Sequence, residues 1–259
     1  MKKSVCIETI FTEVPFEDRF KLVEESGFEY IEFWSWEDKN IEKIKELCEK
    51  HHLKIASFSG DKTFSLIDNN EKELYIEYIK ASIKTAKYLN CSNLVIHSNA
   101  LGEGGIVVND YRKVSDFDKF STAYDILKTL APISEESQIN LVLEALNTFV
   151  DHDGNYLAYT SDSAKLVKMI NSDYIKILYD VYHMQIMEGN IIDNIHKYID
   201  YIGYIHIADV PGRHEPGTGE INFINVFYAL SSLTYDGFIG FELFPTKESS
   251  IVASELLNL

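Results

Sequence analysis

The sequence predicts a closed parallel (β/α)8 barrel, formed by a single domain over residues 1–259. Eight short β-rich runs alternate with amphipathic helical stretches, which is the element count and length typical of such a barrel. Several runs are continuously apolar, such as Leu141–Leu143 and Ile177–Tyr179, as expected for strands covered on both faces. A doubly wound open sheet usually begins with a glycine-rich turn, but the first strand here is followed by Phe11–Pro15.

The eight predicted strands are short runs rich in β-branched and aromatic residues. In chain order they are Val5–Ile10, Tyr30–Trp34, Lys54–Phe58, Asn93–His97, Asn140–Ala145, Ile175–Asp180, Tyr204–Ala208 and Phe238–Leu243. Parallel strands need a crossover between them, so each interval should contain a helix. Two long connections, 59–70 and 98–113, would lie at the C-terminal face of the barrel, where long loops usually shape a site.

Helical periodicity fills the intervals between the strands. Two helices are predicted from apolar residues at steps of three and four, namely Ile76, Ile79, Ile83 and Ala86, and Phe120, Ala123, Leu127 and Leu130. Ser115 and Asp118 form a capping box before the second of them, and Gly27 stands where a helix C-cap is expected. The other predicted helices are Phe16–Ser26, Ile41–His51, Asp162–Met169, Ile191–Tyr201, Phe223–Ser232 and Glu248–Leu257.

The charge balance excludes whole classes of partner. Acidic residues number 41 against 24 basic ones, which gives a net charge of −17. Such a surface repels phosphate backbones and anionic lipid, so we expect neither a nucleic acid nor a membrane partner. The cysteines, Cys6, Cys48 and Cys91, are odd in number and far apart, which indicates a reducing compartment. With no signal-peptide pattern and no apolar run of membrane-spanning length, we expect a cytoplasmic protein.

Polar residues occupy corresponding positions in four consecutive strands. Strand five ends in Glu144, strand six ends in Asp180, strand seven contains His206 and strand eight contains Glu242. Taken alone, each would be a helix N-cap or a salt-bridge partner. A buried carboxylate is costly unless it is paired or bound, and these strand ends converge at one face of a barrel. Three carboxylates and one imidazole suit one divalent ion, with Mn²⁺, Mg²⁺ or Co²⁺ favoured and Zn²⁺ also acceptable.

Four further residues are candidates for substrate contacts. His183 follows Asp180 by three residues, and its place at the C-terminal face of the barrel favours a substrate contact over the alternative of a helix-start histidine bonded to a carbonyl. Arg213 lies in the glycine- and proline-rich loop 209–220 and is the nearest cation for a negatively charged substrate group. Its alternative roles are a solvated loop charge or a partner of Glu215. His97 closes strand four, and Trp34 follows strand two as a candidate pocket wall.

Longer motifs resemble a known family. They are LVLEALNT (141–148), LYDVYHMQIMEGN (178–190), GYIHIADVPGRHEPGTGEINF (203–223) and DGFIGFEL (236–243), with a weaker match in GFEYIEFWSWEDKN (27–40). These stretches resemble the hydroxypyruvate isomerase family, within the xylose isomerase-like TIM barrels. The loop DVPGRHEPGTGEIN is the most distinctive of them.

The resemblance implies a role for each motif residue. It implies that Glu144, Asp180, His206 and Glu242 hold the metal, and that the two glutamates also act as proton donor and acceptor. It further implies that His183 and Arg213 contact substrate. Close hydroxypyruvate isomerase relatives often have glutamine at the strand-seven position, whereas this chain has His206, as the sugar 3-epimerase branch does.

The expected reaction is the isomerisation of hydroxypyruvate to 2-hydroxy-3-oxopropanoate (tartronate semialdehyde) through an enediolate. Moving a carbonyl between adjacent carbons requires a base, an acid and stabilisation of an oxyanion, which two glutamates and a divalent ion can supply. The first alternative is an isomerase or 3-epimerase of neutral ketoses with the same groups. The expected partner is therefore a small hydroxy acid or sugar. The sequence does not decide between a monomer and a homo-oligomer.

Two other functions fit less well. Abasic-site endonuclease-like barrels would have histidine at the end of strand three, where this chain has Ser57 and Ser59, and the chain is too acidic for a duplex. A non-catalytic sugar- or metal-binding barrel should lack one of the acid/base glutamates, and both are present. The natural substrate and the metal have to come from experiment.

Overall fold

Eight parallel strands, hydrogen-bonded in chain order, close into a barrel in the computed structural model, which describes residues 1–259. The strands are β1 (Lys2–Cys6), β2 (Tyr30–Phe33), β3 (Lys54–Ser59), β4 (Asn93–Ile96), β5 (Asn140–Glu144), β6 (Ile175–Asp180), β7 (Ile202–Ile207) and β8 (Phe238–Phe241). Pairing of β8 with β1 completes the ring. The predicted fold class is confirmed.

Nine helices surround the strands. They are α1 (Phe16–Glu25), α2 (Ile41–Lys50), α3 (Lys72–Leu89), α4 (Asp116–Ser137), α5 (Thr160–Ile170), α6 (Val181–Met187), α7 (Ile191–Tyr198), α8 (Phe223–Ser232) and α9 (Ser249–Leu257). Two 3₁₀ turns add Glu103–Gly105 and Ile199–Tyr201. Ser115 is the N-cap of α4 and accepts a hydrogen bond from the backbone N–H of Asp118. The second half of the predicted capping box differs, because the Asp118 carboxylate accepts from the Ser115 hydroxyl rather than from its backbone N–H. Gly27 follows α1 with φ +86°.

Two departures from the predicted elements are larger than the shifts of one to three residues found at other element ends. We predicted the first strand over Val5–Ile10, but β1 spans Lys2–Cys6, because the polar start of the chain pairs with β8. The apolar residues after Cys6 lie buried in the turn that follows the strand. Helix α6 was not predicted, since its seven residues are too few for a clear helical period.

The core divides into two parts. A cluster of 63 buried residues packs the barrel and the helices together. A smaller cluster of five residues comes from five neighbouring strands: Ala56, Val95, Val142, Leu178 and Tyr204. Side chains two residues apart on a strand share a face. The next residues on the face of Val142, Leu178 and Tyr204 are the polar residues at positions 144, 180 and 206, so a polar layer lies directly above this apolar one.

No helix of the structure combines the length and the apolar character needed to cross a membrane.

Candidate metal centre and its surroundings

The structure brings the four strand-end residues together. Glu144 and Asp180 are the last residues of β5 and β6, His206 lies in β7, and Glu242 directly follows β8. One ligand atom from each lies within 4.8 Å of the others, and all four side chains are buried. The parallel register explains this arrangement, because β6 pairs Asp180 with His206 in β7. Their predicted role as metal ligands stays a prediction.

Asp180 divides its two oxygens between the fold and the centre. Oδ1 accepts a hydrogen bond of 3.0 Å from the backbone N–H of His183 and thereby caps α6. Oδ2 lies 3.6 Å from the Arg213 guanidinium and 3.9 Å from Nδ1 of His206. Burial raises the pKa of Asp180 to about 7, against the effect of Arg213 and with that of Glu144. The N-cap role that we considered as an alternative therefore coexists with a place in the centre.

Glu144 is linked to two residues that follow β3 and β4, Asp61 and His97. His97 lies just beyond β4, with Nδ1 2.9 Å from Asp61 and Nε2 3.1 Å from Oε2 of Glu144. The other oxygen of Glu144 is buried without a hydrogen-bond partner. Burial alone would raise the pKa of Glu144, but His206 and His97 hold it well below its usual range. Because protein carboxylates occupy both ring nitrogens, His97 supports Glu144, and its predicted contact with substrate stays a prediction.

Two donors from opposite sides hold Glu242. The indole N–H of Trp34 donates to Oε1 at 2.6 Å, and Arg213 donates to Oε2 at 2.6 Å. Burial would raise the pKa of Glu242, but Arg213 and then His206 lower it below its usual range. The Trp34 ring is 43% exposed, which leaves a face of the indole available at the mouth of the site.

The loop that carries Arg213 is organised around Asp209. This fully buried carboxylate accepts hydrogen bonds from four backbone N–H groups, those of Val210, Gly217, Gly219 and Ile221. Arg213 has φ +58°, and its guanidinium lies 5.3 Å from the centre of the Tyr182 ring. Glu215, which we considered as its partner, instead accepts hydrogen bonds from Thr246. The loop thus directs the guanidinium inward.

His183 presents one donor to the centre. Its Nδ1 accepts from the backbone N–H of Asn147 at 3.3 Å and lies 2.7 Å from the side-chain amide of the same residue. Burial, followed by Arg213, lowers the pKa of His183 well below its usual range, so the ring is neutral. Since Nδ1 accepts, the proton lies on Nε2, which is 3.7 Å from Asp180 and has no hydrogen-bond partner. The alternative bond to a carbonyl is absent.

The residues present fit a divalent ion. Oε1 of Glu144 and Nδ1 of His206 are both fully buried and unpartnered, although buried polar atoms are normally satisfied. They lie 3.6 Å apart, and Nδ1 is also 3.3 Å from Glu242. The layer gathers three carboxylates around one imidazole, and the Arg213 guanidinium contacts only Glu242 and Asp180 among them. Oxygen and nitrogen donors in this proportion are those that hard and intermediate divalent ions prefer.

A second cluster, made of Asp151, His152 and His183, also brings potential ligand atoms together. Part of its ligand set is hydrogen-bonded within the fold, whereas Nε2 of His152 and Nε2 of His183 have no hydrogen-bond partner. Asp151 accepts hydrogen bonds from Tyr182 and Asn147, and Nδ1 of His152 lies 2.7 Å from the carbonyl oxygen of Gly105. The cluster therefore ties together the loops after β4 and β5 beside the centre.

Three residues around the site were not predicted from the sequence. Glu32 lies in β2 and contacts His206, Asp61 follows β3 and contacts His97, and Asn147 contacts His183. Glu32 could have been found, because it interrupts the apolar run Tyr30–Phe33 in the same way as the later carboxylates do. Asp61 and Asn147 lie in loops and have no comparable signal.

Comparison with known proteins places the chain in a family. The family model described as "Xylose isomerase-like TIM barrel" matches residues 20–258. The chain belongs to this family. Hydroxypyruvate isomerase of Escherichia coli K12 is 29% identical over 255 residues, covering 95% of this chain and 94% of that protein. The 2-oxo-tetronate isomerase of Haemophilus influenzae is 30% identical over 258 residues, covering 96% and 95%.

A solved structure agrees with this fold over nearly the whole chain. It is described as an AP endonuclease, family 2, from Brucella melitensis, and it superposes with a TM-score of 0.90 at 25% identity. The match covers 99% of this chain and 98% of that chain. The predicted family resemblance and the predicted enzyme class, an isomerase, are confirmed by the named relatives.

Proposed function

We propose that this chain is a metal-dependent isomerase of small hydroxy-keto acids, with hydroxypyruvate to 2-hydroxy-3-oxopropanoate as the lead reaction. One observation carries the proposal: four consecutive strands bring one ligand atom each to within 4.8 Å of one another at the barrel mouth. The names of the two relatives, hydroxypyruvate isomerase and 2-oxo-tetronate isomerase, support the substrate class.

The ion would be held by Glu144, Asp180, His206 and Glu242. Mn²⁺, Mg²⁺ and Co²⁺ suit a set of three carboxylates and one imidazole, and Zn²⁺ is acceptable. When bound, a divalent ion supplies Lewis-acid stabilisation of the negative charge that develops on the substrate oxygens.

Two glutamates would move the proton. The reaction removes a proton from the carbon beside the carbonyl and returns one to the neighbouring carbon. Glu144 and Glu242 come from β5 and β8, which lie three strands apart in the ring, so they approach the substrate from different sides. Nearby cations lower the pKa of both carboxyls, so both start ionised at neutral pH. The glutamate that accepts the proton from the first carbon thereby becomes the acid that can return a proton to the neighbouring carbon.

Two buried N–H groups would donate hydrogen bonds to the negatively charged group of the substrate. The Nε–H of Arg213 and the Nε2–H of His183 are buried and have no hydrogen-bond partner. Donors of this kind stabilise a carboxylate or a developing oxyanion because they are held in place before the reaction. They are needed here, since the chain carries a net charge of −17 that repels an anionic substrate.

Epimerisation or isomerisation of neutral ketoses is the second candidate. The observation that favours it is the imidazole of His206 in β7, where the sequence resembles the sugar 3-epimerase branch. The same ion and the same glutamates would serve both reactions. The two candidate functions differ in whether the site has to bind a charged group at one end of the substrate.

Kinetics after ion removal test the proposal. The protein is dialysed against chelator, reloaded with a single divalent ion, and assayed on hydroxypyruvate, 2-oxo-tetronate and a panel of neutral ketoses. We expect activity to return with an ion and kcat/KM to be highest for an acid. Higher kcat/KM on a ketose would establish the second candidate, and no activity on any substrate would contradict both.

A further inference from the structure

Glu32 lies inside the barrel, beneath the candidate metal centre, and has no role in the reaction as described so far. It belongs to β2, one of the four strands that contribute no proposed ligand, and it is 3% exposed. A buried carboxylate loses its hydration and needs compensating partners. The identity of those partners shows what this charge does.

Only donors surround the Glu32 carboxylate. Ser57 donates to Oε2 at 2.8 Å and Tyr204 donates to the same oxygen at 3.2 Å. Ser4 donates to Oε1 at 2.9 Å. The remaining partner is His206, whose Nε2 lies 3.0 Å from Oε2. Three of these groups are neutral hydroxyls, so the imidazole is the partner to which a negative charge matters most.

The barrel wall is shaped to admit this carboxylate. Gly240 in β8 pairs with His206 in β7 and with Ser4 in β1. A Cβ atom at Gly240 would collide with Oε1 of Glu32 and would lie 2.8 Å from Cδ2 of His206. The glycine therefore leaves the space that the Glu32 carboxylate and the imidazole share.

Contact with Glu32 sets the state of the imidazole. An ionised carboxylate only accepts hydrogen bonds, so Nε2 of His206 must carry a proton. Nδ1, on the other side of the ring, is 3.3 Å from Glu242 and 3.6 Å from Glu144 and has no hydrogen-bond partner. This orientation directs the nitrogen that can bind an ion into the centre.

We propose that Glu32 is a positioning residue that holds His206 with its proton on Nε2 and strengthens Nδ1 as an ion ligand. The inference rests on the ion of the proposed function. A carboxylate that accepts the second N–H of a ligating histidine fixes the ring and raises its basicity.

Substitution Glu32→Gln tests the role of the charge. Glutamine has the same shape and its oxygen can still accept from His206, while the neighbouring hydroxyls can accept from its amide. We expect the Kd for Mn²⁺, measured by titration calorimetry without substrate, to rise by about 10- to 100-fold. Glu188→Gln is the matched control, because Glu188 accepts hydrogen bonds from Thr160 and Asn194 and has no hydrogen bond to a proposed ligand. The Kd of the Glu188→Gln variant for Mn²⁺ should stay within about twofold of the wild-type value.

If Glu32→Gln does not fold, NMR of the wild-type protein tests where the His206 proton lies. In Zn²⁺-loaded protein with ¹⁵N-labelled histidine, NMR should show the His206 proton on Nε2 and none on Nδ1. The resonance is assigned by its loss in His206→Asn. A proton on Nδ1, or a folded Glu32→Gln variant with the wild-type Kd, would overturn the proposal.

The outcomes also separate this inference from the proposed function. If Glu32→Gln weakens Mn²⁺ binding while the wild-type enzyme isomerises no acid or sugar, the role of Glu32 stands and the proposed function fails. If the wild-type enzyme is an ion-dependent isomerase and Glu32→Gln binds Mn²⁺ normally, the function stands and the inference fails. A wild-type chain that binds no divalent ion would overturn the inference.

Discussion

Arg213 offers the sharpest test of substrate choice. Its side chain is 15% exposed and donates to Glu242 at 2.6 Å, while its Nε–H is buried without a partner. Replacing it in Arg213→Ala removes the proposed contact with a substrate carboxylate. A charge-assisted contact contributes about 1.5–3 kcal/mol, so kcat/KM on hydroxypyruvate should fall by about 10- to 150-fold.

Arg213→Ala also removes the hydrogen bond that Arg213 donates to Glu242. The loss of this hydrogen bond affects kcat/KM for every substrate. The decisive quantity is therefore the ratio of kcat/KM for hydroxypyruvate to kcat/KM for a neutral ketose, measured in the same preparation. We expect Arg213→Ala to lower this ratio at least tenfold and Arg213→Lys to lower it less, because lysine keeps the charge but loses the planar fork. Arg112→Ala is the control, since Arg112 is 63% exposed and pairs with Asp153. An unchanged ratio would refute the assignment of Arg213 to the substrate carboxylate, and the second candidate function would then be favoured.

Three further predictions concern the centre itself. Glu242→Gln should lower kcat by about 10²–10⁴-fold while calorimetry still detects bound Mn²⁺, because one proton-transfer group is lost; near-wild-type turnover would exclude the two-glutamate mechanism. Mn²⁺ at a hundredfold excess over Kd should stabilise the fold by about 2.7 kcal/mol, a rise in Tm of about 5–11 °C; a melting curve that does not respond to Mn²⁺, Mg²⁺, Co²⁺ or Zn²⁺ would contradict ion binding. Because the pKa of Asp180 is raised to about 7, a proton competes with the ion below that pH, so the Kd for Mn²⁺ should fall as the pH rises from 5 to 7; a constant Kd over this range would argue against Asp180 as a ligand.

Much of the candidate site could be predicted because buried charge is conspicuous in an apolar strand. Glu144 and Asp180 each close a strand whose other residues are mostly apolar, and the barrel rule then places both at one face. The same reasoning applied to β2 would have added Glu32. The predicted ligand set came only from the four consecutive later strands, and the equally clear signal of Glu32 in β2 was not included in it.

Side-chain direction in loops could not be predicted in the same way. Arg213 turns inward because its backbone is left-handed and because Asp209 gathers four backbone N–H groups of its loop. Asp61 reaches His97 from a loop after β3. These directions depend on hydrogen bonds within one loop, as around Asp209, or between two segments, as for Asp61 and His97, and apolar periodicity carries no information about them.

The most direct test of the account follows the substrate proton. Chelator-treated enzyme in D₂O is given hydroxypyruvate, with and without added Mn²⁺, and deuterium in substrate and product is measured by mass spectrometry. We expect enzyme-catalysed deuterium incorporation and 2-hydroxy-3-oxopropanoate only when the ion is present, because glutamates that exchange with solvent carry the proton. Turnover that continues in protein shown to be free of metal would contradict the role of the ion. Ion-dependent turnover without any deuterium would contradict proton transfer by the glutamates.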